Sequence, residues 1–156
     1  MQKVLSLRDA EALVARLRHS KKIVVFTNGV FDLLHPGHIR YLADARRQGD
    51  ALVVAVNSDK SVRTIKGPAR PLNPDHERAE VLAALACIDA VVIFDEDTPQ
   101  QVISCLQPDV LVKGADWAAD AIVGRETVEA GGGRVVRIPL AEGYSTSAII
   151  QRIRAL

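Results

Sequence analysis

"IVVFTNGVFDLLHPGHIRYLADARRQGDALVVAV" runs from Ile23 to Val56, and its reading decides the fold. Its two ends, Ile23-Val24-Val25-Phe26 and Ala51 to Val56, are short apolar runs of the kind that a strand buried on both faces shows. Between them Pro36 stands at the first position of a helix predicted to run to about Gln48, with Gly49 just past its end. Strand, helix and strand in this order imply two parallel strands joined by a helical crossover.

The pattern extends in both directions. Ser6 and Asp9 form a capping box for an N-terminal helix to about His19, with Leu7, Ala10, Leu13, Val14 and Leu17 at helical spacing. Beyond Val56 come a loop rich in Gly, Pro and Arg, a helix capped by Asn73 with Pro74 at its first position and reaching about Ala86, and a strand at Ala90 to Phe94. Thr98 and Pro99 open a short helix, and Val110-Leu111-Val112 is the fourth strand. A helix near Val123 to Ala130 ends at three glycines, Val135 to Ile138 is the fifth strand, and Ser145 opens a last helix with Ile149, Ile150 and Ile153 on one face. The expectation is an α/β chain in which residues 1–156 form a single Rossmann-like domain: a five-stranded parallel sheet with helices on both faces.

Composition narrows the function. With 20 basic and 19 acidic residues spread along 156 positions, the formal charge is +1, which argues against a nucleic-acid arm. No apolar run approaches the roughly 20 residues of a membrane span, and Met1-Gln2-Lys3 does not open a signal peptide, so a soluble cytoplasmic protein is expected. Cys87 and Cys105 are too far apart for a CxxC motif and are expected to be reduced, small core residues.

Open parallel sheets bind ligands at the carboxyl ends of their strands. Four loops there carry chemistry. In Thr27 to His38, two of the chain's four histidines flank Pro36-Gly37 at a helix start, where unpaired N–H groups and the helix dipole favour an anion. Two imidazole donors there would stabilise charge developing on a phosphate. Metal ligation and simple helix capping are the competing readings of His35 and His38, and Asp32 either orders the loop or receives a substrate group. The second loop, Asn57 through Lys66 to Arg70, reads as a basic flap or a solvated loop, and Arg78 either reaches back to the same anion or pairs with a carboxylate. The third, Lys113-Gly114-Ala115-Asp116-Trp117, offers a lysine at a strand end and the chain's single tryptophan, able to lean on a base or to pack under a loop. The fourth, Glu142 to Ser147, puts Ser145, Thr146 and Ser147 at a helix start, one as a cap and the others available to outer phosphates. Neither a GxxxxGK[ST] run nor a strand-linked GxGxxG is present.

"TNGVFDLLHPGH" resembles the first motif of the HxGH nucleotidyltransferase superfamily, and "EGYSTSAI" its C-terminal Ser/Thr-rich motif, with the resemblance spanning nearly the whole chain. Within it, "NSDKSVRTIKGPARPLNPDHERAEVLAAL" and "PDVLVKGADW" are most similar to the adenylyltransferases of D-glycero-β-D-manno-heptose 1-phosphate in bacterial lipopolysaccharide core biosynthesis. The resemblance implies transfer of AMP from ATP to that sugar phosphate, giving ADP-heptose and pyrophosphate, with Mg²⁺ held mainly by the phosphates. By motif, His35 and His38 would contact the nucleotide phosphates, and Thr27, Asn28, Gly29 and Phe31 would line the first strand's side of the site. Lys66 would hold the triphosphate or the sugar phosphate, with Arg78 in support, and Ser145, Thr146 and Ser147 the β and γ phosphates. Lys113, Gly114, Asp116 and Trp117 would cradle the base. In many relatives the domain is fused to a sugar kinase; the length implies the stand-alone form, with the kinase step on another chain. Dimers are common in that superfamily. A glycerol-3-phosphate cytidylyltransferase and a non-catalytic nucleotide-binding module are the rival readings.

Overall fold

A computed structural model describes residues 2–156. Its elements are β1 (Val4–Leu5), α1 (Leu7–His19), β2 (Val24–Gly29), α2 (Pro36–Arg46), β3 (Ala51–Asn57), α3 (Asp59–Lys66), α4 (Asp75–Ala83), β4 (Ala90–Phe94), α5 (Gln100–Leu106), β5 (Val110–Gly114), α6 (Arg125–Ala130), β6 (Arg134–Ile138) and α7 (Thr146–Arg154).

The sheet is parallel, in the order β1-β4-β3-β2-β5-β6. It therefore has six strands where five are expected. The extra one, β1, pairs Val4 with Val91 and Leu5 with Val92 at the edge, and two residues are too few to show an alternation in sequence. Successive residues of the central strands serve opposite faces. Val24 and Phe26 join a core with Val14 of α1, Ile103 and Leu106 of α5 and Val128 of α6, while Val25 joins Leu42 and Ala45 of α2 and Leu82 of α4. Continuous apolar runs are what a sheet covered on both faces requires.

Three local expectations change. The stretch Asp59–Lys66 is a helix, not a loop: the Ser58 side chain accepts the Ser61 N–H, and the Asp75 carboxylate accepts that of Asp59. Its sequence holds only two apolar residues among polar ones, which hides the period. Asn73 does not cap α4, because its side chain donates to the Asp32 carbonyl and Pro74 occupies the cap position without a side-chain bond. Both cysteines are free thiols; Cys87 is half-buried and packs against the core as expected, whereas Cys105 is exposed.

Topology fixes where a ligand can sit. From β2 the chain moves to β3 and β4 on one side, then crosses to β5 and β6 on the other, so the switch point lies between β2 and β5. Pairing between these two strands covers only Val25 with Val110 and Phe26 with Leu111, although β2 continues to Gly29 and β5 to Gly114. Past Phe26 the strands splay. Tyr41 of α2 fills the opening: its buried hydroxyl accepts from Thr27 Oγ1 at 2.8 Å and donates to the Val112 carbonyl at 3.2 Å. Burial pushes the Tyr41 hydroxyl up to about 12, which keeps it a donor.

Candidate active site

The histidines are placed by a strained loop and a close approach. Phe31 has a φ of 50°, in the left-handed region that costs a non-glycine residue about 1–2 kcal/mol, and its ring packs edge-on against His38 with centroids 5.5 Å apart. His35 is the N-cap of α2, its Nδ1 accepting the His38 N–H at 3.3 Å. A neutral imidazole accepting at Nδ1 carries its proton on Nε2, so that atom is the donor left for a ligand. The two rings stack with centroids 3.8 Å apart. Gly37 permits this, since a Cβ there would lie 2.9 Å from His35 Nδ1 and 3.1 Å from Tyr144 Cβ.

Burial, and then the neighbouring His35, press His38 down to about 4, and burial lowers His35 as well. Both rings are neutral near pH 7. His38 Nδ1 is buried without a partner. An arriving polyphosphate would restore the missing favourable charge and raise both values.

A polar cavity of about 300 Å³ joins His35 and His38 to Lys66, Arg70, Thr146 and Ser147. The two helix starts thus face one space although they lie far apart in sequence. Ser145 accepts the Ala148 N–H as the cap of α7, and Thr146 Oγ1 donates to the Leu33 carbonyl, 113 positions away, tying α7 to the histidine loop. Of the three hydroxyls, Ser147 keeps its own for a ligand.

A second cleft of about 250 Å³ opens from the histidines along the splayed strands, lined by Asn28, Gly29, Lys113, Trp117, Leu140 and Tyr144 among others. Lys113 is 9% exposed, and its ammonium lies 5.5 Å from the Trp117 ring. Burial brings it down to about 8, partly offset by the Asp116 carboxylate. Trp117 is 49% exposed, so it does not pack under a loop; its ring is free to cover a flat ligand. Gly114 contributes backbone, and a Cβ there would collide with Asp116 Oδ1. The Asn28 Oδ1 atom is a second buried acceptor without a partner.

Some of the expected residues have their polar groups already engaged by the protein. The Asp32 carboxylate is fully covered, held by Arg70 Nε at 2.7 Å and the Leu72 and Asn73 N–H groups at 2.9 Å. These bonds outweigh burial and lower its pKa. Asp32 thus lines the polar cavity with its carboxylate engaged in ordering the loop. Arg78 is engaged likewise: it is 2% exposed, and its guanidinium donates to the Asn73 and Val30 carbonyls and pairs with Asp59. Thr27 gives its hydroxyl to Tyr41 and is completely buried.

Tyr41 is the residue of the site that the sequence reading does not single out, whereas Arg70 belongs to the expected basic flap and Tyr144 is expected only to pack. Tyr144 covers His35 with rings 6.0 Å apart, while the Arg40 guanidinium lies 5.3 Å from its centroid. Tyr41 gave a usable signal: a helix facing a sheet edge-on with one hydroxylated aromatic needs a polar partner inside. Among the described residues, no group of three His, Cys, Asp or Glu side chains stands together as a metal-ligand set.

A family model described as cytidylyltransferase-like matches residues 26–152. Among curated proteins, the "Bifunctional protein HldE" of Syntrophotalea carbinolica is 58% identical over 148 residues, covering 95% of this chain and 30% of that protein. The protein of the same name from Geobacter sulfurreducens is 53% identical over 151 residues, 97% of this chain and 31% of that one. The chain therefore spans less than a third of the length of these relatives. Among solved structures, a lipopolysaccharide core biosynthesis protein from Thermoplasma volcanium superimposes with a TM-score of 0.67 at 28% identity, over 78% of this chain and 99% of that one. A pantothenate synthetase from Thermus thermophilus, at 17% identity and a TM-score of 0.66 over 99% of this chain and 71% of that one, shares the fold. The match over residues 26–152, falling on the histidine loop, the splayed strands and the α7 start alike, places the chain in the cytidylyltransferase-like family.

Proposed function

We propose that the chain transfers AMP from ATP to D-glycero-β-D-manno-heptose 1-phosphate, releasing pyrophosphate and forming ADP-heptose. The observation that carries this reading is the convergence of two helix N-termini, His35 and His38 on α2 and Thr146 and Ser147 on α7, on one polar cavity with Lys66. Such a space suits a polyphosphate, and the adjoining cleft with Trp117 and Tyr144 suits the flat base. The acceptor is selected by the resemblance of the motifs around Lys66 and Lys113, and by relatives named HldE and a neighbour named for lipopolysaccharide core biosynthesis.

An oxygen of the sugar phosphate attacks the α-phosphorus of ATP in line. The bond from that phosphorus to the bridging oxygen breaks, and the electron pair leaves with pyrophosphate. The attacker is already an anion, so no side chain has to remove a proton; the task is to bring two anions together and spread the developing charge. His35 donates from Nε2 and His38 from its neutral ring toward the α-phosphate, where charge grows in the transition state. Free N–H groups of the first turn of α7 and the Ser147 hydroxyl hold the outer phosphates, and Lys66 and Lys113 neutralise the two substrates from either side of Asn28. Mg²⁺, held mainly by phosphate oxygens and water, would supply further charge neutralisation on the triphosphate.

The test is product identification by ³¹P NMR after incubation with ATP, Mg²⁺ and the heptose 1-phosphate. A diphosphate diester together with free pyrophosphate is expected. Hydrolysis of ATP to ADP or AMP without the diester would overturn the proposal.

A further inference from the structure

Across Lys113 and Asn28 from the histidines lies a separate cavity of about 310 Å³. Asn28, Gly29, Val30, Lys113 and Trp117 line both this cavity and the base cleft, so the two share one wall. That wall holds two polar groups without protein partners. The Lys113 residue is nine-tenths buried, and its ammonium forms no hydrogen bond or ion pair among the described residues although the Asp116 carboxylate acts on it from a distance, while the buried Asn28 Oδ1 receives no donor. A buried ammonium that lacks a directly paired counter-ion is costly, and an anionic ligand would lower that cost.

The far side of the cavity is different in kind. Ile65, Pro99, Val123 and Trp117 give it apolar surface, while Asp97 and Thr98, in the turn that follows β4, give it a carboxylate and a hydroxyl. Asp97 forms no ion pair among the described residues. Thr98 is not needed as a cap, because Pro99 holds the N-cap position of α5 without a side-chain bond. A carboxylate near Lys66 and Lys113 would repel a phosphate. It accepts hydroxyl protons, each of its two oxygens taking one from a polyol, while apolar walls cover the C–H faces of a sugar.

Resting on the nucleotidyltransferase reading above, we infer that this cavity takes the polyol of the acceptor, with Asp97 and Thr98 recognising its hydroxyl groups and Lys113 its phosphate. The acceptor then lies with its phosphate at the shared wall, facing the α-phosphate, and its sugar directed away from the nucleotide. Asp97 and Thr98 become specificity-determining residues for a polyhydroxylated acceptor.

The test measures KM for heptose 1-phosphate and KM for ATP separately in Asp97→Ala, Asp97→Asn and Thr98→Val. Loss of a charged acceptor should raise the acceptor's KM about 10- to 100-fold in Asp97→Ala, with a smaller rise in Asp97→Asn and about three- to tenfold in Thr98→Val. ATP's KM should stay unchanged. Both side chains are exposed and carry no internal bonds, so each variant should keep the wild-type melting temperature. Unchanged acceptor KM, or parallel changes in both KM values, would overturn the assignment while leaving the functional reading intact. Failure of the wild type itself to form a nucleotide sugar would overturn that reading and this inference together.

Discussion

Replacing His38 separates ground-state binding from transition-state stabilisation. The ring sits at the start of α2, stacked on His35 at 3.8 Å and edge-on to Phe31 at 5.5 Å, and burial keeps it neutral with a value of about 4. A neutral donor adds about 0.5–1.5 kcal/mol to the binding of a phosphate that already carries its charge, so His38→Ala should weaken ATP binding by about three- to tenfold. The same donor in a water-poor site, aimed at charge that grows during transfer, is worth about 2.7–4 kcal/mol, and kcat should fall about 100- to 1000-fold. His38→Phe keeps a ring against Phe31 and His35 without the donor and should lose kcat to the same extent. Pyrophosphate release at saturating substrates gives kcat, and titration calorimetry gives the ATP Kd. An unchanged kcat, or equal losses in kcat and ATP affinity with the fold intact, would refute the placement of His38 in the transition state.

Other consequences follow from the same geometry. Because the folded value of His38, about 4, lies below its ordinary 6.5, the unfolded chain takes up the proton first as pH falls. Stability is therefore full above pH 6.5 and is lost toward pH 4; discounted for partial exposure the loss at pH 5 is about 1 kcal/mol, and urea titrations should find it reduced in His38→Phe. Arg78→Leu leaves the Asn73 and Val30 carbonyls and the Asp59 carboxylate without their donor and should cost about 3–5 kcal/mol in urea unfolding; a loss below about 1 kcal/mol would contradict its structural role. Gly37→Ala forces a Cβ against His35 and Tyr144, so kcat should drop about 10- to 100-fold with little change in melting temperature.

The sheet was readable because burial on both faces leaves uninterrupted apolar runs, and α1, α2 and α7 because Ser6, Pro36 and Ser145 mark their starts. The edge strand β1 was not, being held by pairing to β4 over two residues, nor was α3, whose start depends on capping by Ser58 and by Asp75 from another element. The same division runs through the site. Loop positions and residue types pointed to the histidines, Lys66, Lys113 and the hydroxyls. What single positions could not tell was which polar side chains are consumed by the fold: Asp32, Arg78 and Thr27 have the right chemistry, but their partners Arg70, Val30, Asn73 and Tyr41 come from distant segments or from backbone. The splay between β2 and β5, which makes the cleft, is a matter of register and leaves no residue signature.

Pyrophosphate release with Mg²⁺ in four pairings, ATP or CTP with heptose 1-phosphate or glycerol 3-phosphate, tests the central claim most directly. The account predicts release with ATP and the heptose alone. Release with CTP and glycerol 3-phosphate would contradict the substrate assignment while keeping the phosphate site, and no release in any pairing would contradict the reading of the two helix starts as a catalytic centre.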